Sequence, residues 1–256
     1  MTTAPSPEPS TRGFDGKVAI VTGASSGLGA AVARLLAARG ARVLGLARDE
    51  QRLTEVFETV VGGRFRITDL ADPRQCAEAV ADCVATFGRV DALINVAGAH
   101  TMRHTAEVTD DDWAGDLAVN LSGPFYLSRA ALPHLLDSAG NIVNVASVAG
   151  TQGQAYSAGY CAAKHGLIGL TRAMAVEFTH STLRVNAVCP GGMLTPQVSG
   201  FVAPEGADFD LIMRTASPRG MSEPADVAQV IAFLASDDAK AIHGAVYEAD
   251  NGRAAD

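Results

Sequence analysis

The sequence predicts an α/β domain built on a doubly wound sheet of seven mostly parallel strands with helices on both faces. Three observations carry this. Short β-branched runs alternate with Ala/Leu-rich stretches of helical period, the pattern of strands joined by crossover helices. A glycine-rich turn joins the first such run to the first helical stretch. The chain of 256 residues lacks an internal repeat, so one domain is expected from residue 15 to 256.

The first strand is KVAIVT (17–22), apolar throughout as a strand covered on both faces must be. Further strands are RVLGLA (42–47), RFRIT (64–68), VDALINV (90–96), NIVNVAS (141–147), RVNAVC (184–189) and GAVYEA (244–249). Helices are expected over 28–39, 73–87, 110–136, 157–179 and 224–235, where apolar residues recur every three to four positions. The long irregular stretch 191–221 carries Met193, Phe201, Val202, Phe209, Leu211, Ile212 and Met213, apolar surface suited to a substrate lid.

Composition excludes several roles. No apolar run approaches the roughly 18 residues of a membrane span. Acidic residues outnumber basic ones by 28 to 20, and the arginines are scattered, so nucleic-acid binding is disfavoured. Residues 1–14 are rich in Pro, Ser and Thr without the apolar core of a secretion signal; they read as a flexible tail, and a cytoplasmic location is expected. Cys76, Cys83, Cys161 and Cys189 lack CxxC spacing and read as buried free thiols.

The turn TGASSGLG places Gly23, Gly27 and Gly29 where a pyrophosphate would meet the N-terminus of the first helix. Its spacing differs from the commoner G-x-G-x-x-G, so its position after the first strand carries the inference. A dinucleotide site also needs a group for the adenosine ribose at the end of the second strand. There the sequence reads LARDE: Ala47 stands at the acidic position and Arg48 follows, which favours NADP(H) over NAD(H), with Asp49 a competing partner for Arg48.

Taken with NVAG (95–98), Ser147 and YCAAK (160–164), this order resembles the short-chain dehydrogenase/reductases over residues 17–252. The resemblance implies a Rossmann-type fold and a catalytic tetrad of Asn120, Ser147, Tyr160 and Lys164. It implies cofactor contacts from Thr22 through Gly29, including Ser25, Ser26 and Leu28. Asp69 and Leu70 would border the adenine, with Asn95, Ala97 and Gly98 at the central strands. Pro190, Gly191, Met193 and Thr195 would lie on the nicotinamide side. Three departures stand out: Val96 where many members have a second Asn, Ala146 before the serine, and EADNG (248–252) in place of V-D-G-G.

The chemistry needs a proton donor or acceptor at the substrate oxygen while a hydride moves to or from the nicotinamide. Tyr160 is the candidate. A phenol titrates near about 10, so work as a base at neutral pH needs a nearby cation, and Lys164 is one helical turn on. Ser147 would hold the substrate carbonyl. Asn120, a poor helix former inside a long helix, would by resemblance hold a water linking Lys164 to solvent.

If residues 156–164 are helical, Tyr156 shares a face with Tyr160, and with Gln154 it either lines the substrate pocket or packs. His100 and His104 have the spacing of a metal pair, but no carboxylate motif accompanies them and no metal site is expected. The expected substrate is a small ketone or secondary alcohol. A 3-oxoacyl thioester is the alternative, though Val176 and the DSAGN segment (137–141), which has no lysine or arginine, disfavour a carrier-protein partner. A cofactor-bound scaffold protein and a sugar-nucleotide epimerase are further rivals. The resemblance implies a homotetramer packed through the helices at 110–136 and 157–179.

Overall fold

The computed structural model describes residues 13–255, apart from the side chains of Gln197 and Ser199. Residues 1–12 of the expected tail lie outside the described residues. Phe14 does not belong to a tail: its ring is 3% exposed in the core, and its N–H donates to the Arg39 carbonyl at 3.1 Å.

Seven strands form one sheet in the order β3-β2-β1-β4-β5-β6-β7, and every pair is parallel. They are β1 (Val18–Thr22), β2 (Arg42–Ala47), β3 (Arg64–Ile67), β4 (Ala92–Asn95), β5 (Asn141–Val145), β6 (Arg184–Pro190) and β7 (Val246–Ala249). Side chains alternate between the faces. Ala19 and Val21 of β1 join the core under α1 (Gly27–Ala38) and α9 (Pro224–Ala235). Val18 and Ile20 join the opposite core, under α3 (Pro73–Phe87), α5 (Gly123–Asp137) and α6 (Ala158–Glu177). Burial on both faces is why these strands read as continuous apolar runs.

The order in which strands are added reverses between β1 and β4, so the crevice of a doubly wound fold opens there, beyond the strand C-termini. Thr22 closes the strand ends behind it: its Oγ1 accepts from the N–H groups of Val96 and Ala97, both at 2.9 Å.

Four features differ from the sequence expectation. An additional helix, α2 (Glu50–Phe57), follows β2; it is capped by Asp49, whose carboxylate accepts from the Arg52 N–H at 3.0 Å. It packs closely on the sheet because β2 carries Gly45, where a Cβ would overlap the Phe57 ring. The helix expected over 110–136 is α4 (Asp110–Leu117) and α5 joined by a π-helical turn, Ala118–Ser122. The stretch 191–221 contains two short helices, α7 (Pro196–Ser199) and α8 (Phe209–Met213). Finally, α6 begins at Ala158, and Tyr156 precedes it with φ +60, so Tyr156 does not continue the face of Tyr160 and Lys164.

The EADNG segment forms a turn of its own. The buried Asp250 carboxylate accepts from the N–H groups of Gly252 (3.0 Å) and Ala254 (2.7 Å), and Asn251 donates to the Gly220 carbonyl at 2.9 Å.

Candidate active site

Side chains from three elements meet at the C-terminal ends of β4 and β5. Ser147 ends β5's extension in extended backbone, and its Oγ accepts from the Ala149 N–H at 3.1 Å, which stops the chain from running on as strand. Tyr160 and Ser147 both line the cleft at this point. Lys164, one turn along α6, donates to the Val145 carbonyl at 2.9 Å, and its ammonium lies 5.6 Å from the Tyr160 ring centroid.

Asn120 sits on the π turn. The wider turn makes Gly123 N–H reach back five residues to the Ala118 carbonyl, and the Asn120 side-chain amide donates to the Asp116 carbonyl at 2.9 Å. The same amide donates to the Ala99 carbonyl, and its oxygen accepts the Ala99 N–H, clamping the loop after β4. A π turn at such a point is a frequent mark of a functional segment. Asn120 is fully buried, and it is the adjacent Val119 that lines the cleft.

The cleft encloses about 580 Å³ and runs from the glycine turn to Ser147, Tyr160 and Lys164. Gly23, Ser25, Ser26, Gly27, Leu28 and Gly29 line it, as do Arg48, Asp69, Leu70, Ala97 and Gly98, and after β6 Pro190, Gly191, Met193 and Thr195. Thr22 and Asn95 do not. Thr22 acts through its two backbone contacts. The Asn95 amide donates to Asn144 Oδ1 at 2.8 Å, Asn144 donates to Thr171 Oγ1 at 2.9 Å, and Thr171 lies on α6. That buried chain ties β4 and β5 to the helix carrying Tyr160 and Lys164.

At the adenosine end Asp49 is engaged with Arg52, through the cap and an ion pair at 3.3 Å, rather than with Arg48. Arg52 lines the cleft as well. Sequence reasoning missed it with α2, although the Asp49 cap three residues before Arg52 was a visible signal.

The structure tests whether these residues suit a dinucleotide. The α1 N-terminus has no side-chain cap from Ser26 and no acidic residue in its first turn, so its free N–H groups face an anion-compatible end of the cleft. Gly29 is obligatory there because a Cβ would overlap the Gly23 carbonyl. The residues fit the group.

Of the pocket expectations, Gln154 lines the cleft and Tyr156 does not. The Tyr156 hydroxyl accepts from the Asp208 N–H at 2.8 Å, and its carbonyl accepts from the Arg103 N–H at 2.8 Å. Its ring meets His104 edge-on at 5.1 Å, and His104 Nε2 is 2.9 Å from the Glu205 carbonyl. These contacts tether the lid. His100 takes different partners: it stacks on Tyr160 and lines the cleft, a position the sequence did not reveal.

Electrostatics correct one expectation. Burial pushes the Tyr160 phenol up to about 12, with the Ser147 hydrogen bond pulling the other way. Burial also draws Lys164 down to about 8. Desolvation is the largest cause of both shifts, and the ammonium lies over the Tyr160 ring and donates to the Val145 carbonyl. The thiols of Cys76, Cys83 and Cys189 are also raised by burial and stay protonated at neutral pH.

Comparison with known proteins places this geometry. A family model described as enoyl-(acyl carrier protein) reductase matches residues 23–254. Ketoacyl reductase 1 of the granaticin polyketide synthase of Streptomyces violaceoruber, as that protein is named, is 38% identical, covering 94% of this chain and 95% of its own. Meso-2,3-butanediol dehydrogenase of Serratia marcescens is 38% identical over 94% of this chain and 96% of its own. The 3-oxoacyl-[acyl-carrier-protein] reductase of Salmonella typhimurium is 35% identical over 93% and 98%.

Proposed function

The chain belongs to the short-chain dehydrogenase/reductase family, an NAD(P)-dependent oxidoreductase acting on CH–OH groups, and from that premise we propose that Tyr160 is its general acid/base. The observation that carries this is Ser147, Tyr160 and Lys164 lining together the cleft that begins at the glycine turn, with the Lys164 ammonium 5.6 Å from the Tyr160 ring centroid. A bound dinucleotide supplies or accepts the hydride. Ser147 holds the substrate oxygen, and the neutral phenol hands it a proton as charge builds there. Such a phenol is poised as an acid, which suits carbonyl reduction. Lys164 positions the ring and presents a cation to the cofactor side of the cleft. Asn120 keeps the loop after β4 against this group through its Ala99 contacts.

NADP(H) is the favoured cofactor. Arg48 and Arg52 line the adenosine end, and Asp49 is turned to capping α2. A higher kcat/KM with NADPH than with NADH is expected, and an NADH preference would overturn this assignment.

The substrate is a small ketone or secondary alcohol. The names of two relatives favour a second reading, reduction of a 3-oxoacyl thioester. A panel of ketones, alcohols and thioester mimics followed by NADPH absorbance separates the two. In that panel Tyr160→Phe is expected to lose about 10²–10⁴-fold in turnover while still binding NADPH by fluorescence. Retained turnover would remove Tyr160 from the role. The assembly we assign is a homotetramer, for which Trp113, Phe125 and Val176 on α4, α5 and α6 offer exposed apolar surface.

A further inference from the structure

His100 lies flat against Tyr160, with ring centroids 4.3 Å apart and planes 26° from parallel, and it lines the cleft. One edge of the imidazole is held: Nε2 is 2.9 Å from Ser157 Oγ. Ser157 Oγ is in turn 3.0 Å from the Ala155 carbonyl oxygen, and Ser157 is only 3% exposed. A serine hydroxyl has one proton and a carbonyl can only accept. Both contacts are hydrogen bonds only when Oγ–H goes to Ala155 and Nε2–H donates to Oγ.

The tautomer follows. Burial and the Lys164 ammonium hold the imidazole down to about 4, so it is neutral at physiological pH and Nδ1 keeps a bare lone pair. Among the described residues Nδ1 has no hydrogen-bond partner, and it is not among the buried unpartnered atoms; it is open to the cleft. An unused acceptor therefore stands beside the phenol that meets the reacting oxygen. The nearby lid residues Val198 and Phe201 add apolar lining to the cleft.

We propose that His100 Nδ1 accepts a hydrogen bond from a hydroxyl on the carbon next to the reacting one, which makes α-hydroxy ketones and the corresponding vicinal diols the preferred substrates. With ring centroids 4.3 Å apart and both residues lining the cleft, the imidazole and the phenol can meet one substrate at neighbouring positions, a spacing that suits oxygens on adjacent carbons. The inference rests on the oxidoreductase reading above. In the reductive direction the carbonyl carbon would take hydride from the bound dinucleotide while the Tyr160 O–H proton passes to the carbonyl oxygen, and the phenolate left behind regains a proton from water. The neighbouring hydroxyl keeps its bonds and only donates to His100.

The test compares three ketones on one carbon frame: 3-hydroxy-2-butanone, its ether 3-methoxy-2-butanone, and 2-butanone, each with NADPH and with NADH. The hydroxy ketone is expected to show kcat/KM about tenfold above both others, the ether separating a donated proton from mere polarity. In His100→Phe, which keeps a flat ring over Tyr160 without an acceptor, that ratio should fall to about one. The wild-type ratio decides even if the variant fails to fold. Equal rates for the three in wild type, or a preference that survives in His100→Phe, overturn the inference and leave the oxidoreductase standing. Reduction of a thioester mimic with none of the three turned over also overturns it, and no turnover of any carbonyl overturns both readings.

Discussion

His100 is neutral in its cavity because its ring is buried and Lys164 is near, which holds its pKa at about 4 against an ordinary 6.5. As pH falls below the ordinary value, the unfolded chain takes up this proton before the folded one does. The stabilisation is therefore whole above that value and is lost progressively until the folded ring titrates. The span of the shift corresponds to on the order of 3 kcal/mol. Urea unfolding at neutral pH and at about pH 4.5 should show a fall in stability that is smaller in His100→Phe. Equal falls in the two proteins would mean that the ring is already hydrated. The same dryness governs Tyr160 and Lys164, and it explains why a lysine one turn away does not by itself bring the phenol into the neutral range.

Among the elements, the lid is tied to the body by Tyr156, a tyrosine in left-handed backbone whose hydroxyl receives the Asp208 N–H. Tyr156→Phe removes that acceptor, a loss of about 1 kcal/mol. Faster proteolytic cleavage within 200–221 and a raised KM are expected, with global unfolding little changed; an unaltered cleavage rate would show that the His104 contact holds the lid alone. This latch was illegible in the sequence because a spacing of four means a shared face only when one helix spans both residues. Helices with strong punctuation were legible: α3 and α9 begin at a proline and match the expected 73–87 and 224–235. The short α2 buries only Leu53 and Val56, too few apolar positions to display a period. The π turn also escaped detection, since one widened turn leaves the apolar pattern on either side intact. Site residues were legible where a motif fixed them to a strand end. Asn95, expected at the central strands, ties β4 to β5 there, and Thr22, expected to shape the glycine turn, lies behind the cleft and acts through the loop after β4.

For the whole molecule, the proposed tetramer makes a direct statement about mass. Light scattering should give four chains, and a monomer at micromolar concentration would mean that Trp113, Phe125 and Val176 stay in water. Within each chain the sheet unites the two ends of the cleft, and the chain of Asn95, Asn144 and Thr171 makes the placement of α6 depend on the central strands. At the Arg48 end the polar ties among the described residues include backbone bonds such as Ala24 N–H to the Leu46 carbonyl and Thr68 N–H to the Ala47 carbonyl. That end also depends on α2 lying close over β2, which a missing side chain at Gly45 permits. A single methyl group added there, in the dry interior and away from the cleft, would push on Phe57 and the helix that carries Arg52, and so on the ribose end of the proposed cofactor site. On the proposed NADP(H) assignment, coenzyme choice would then be open to retuning from inside the core, by shape alone and without altering a charge.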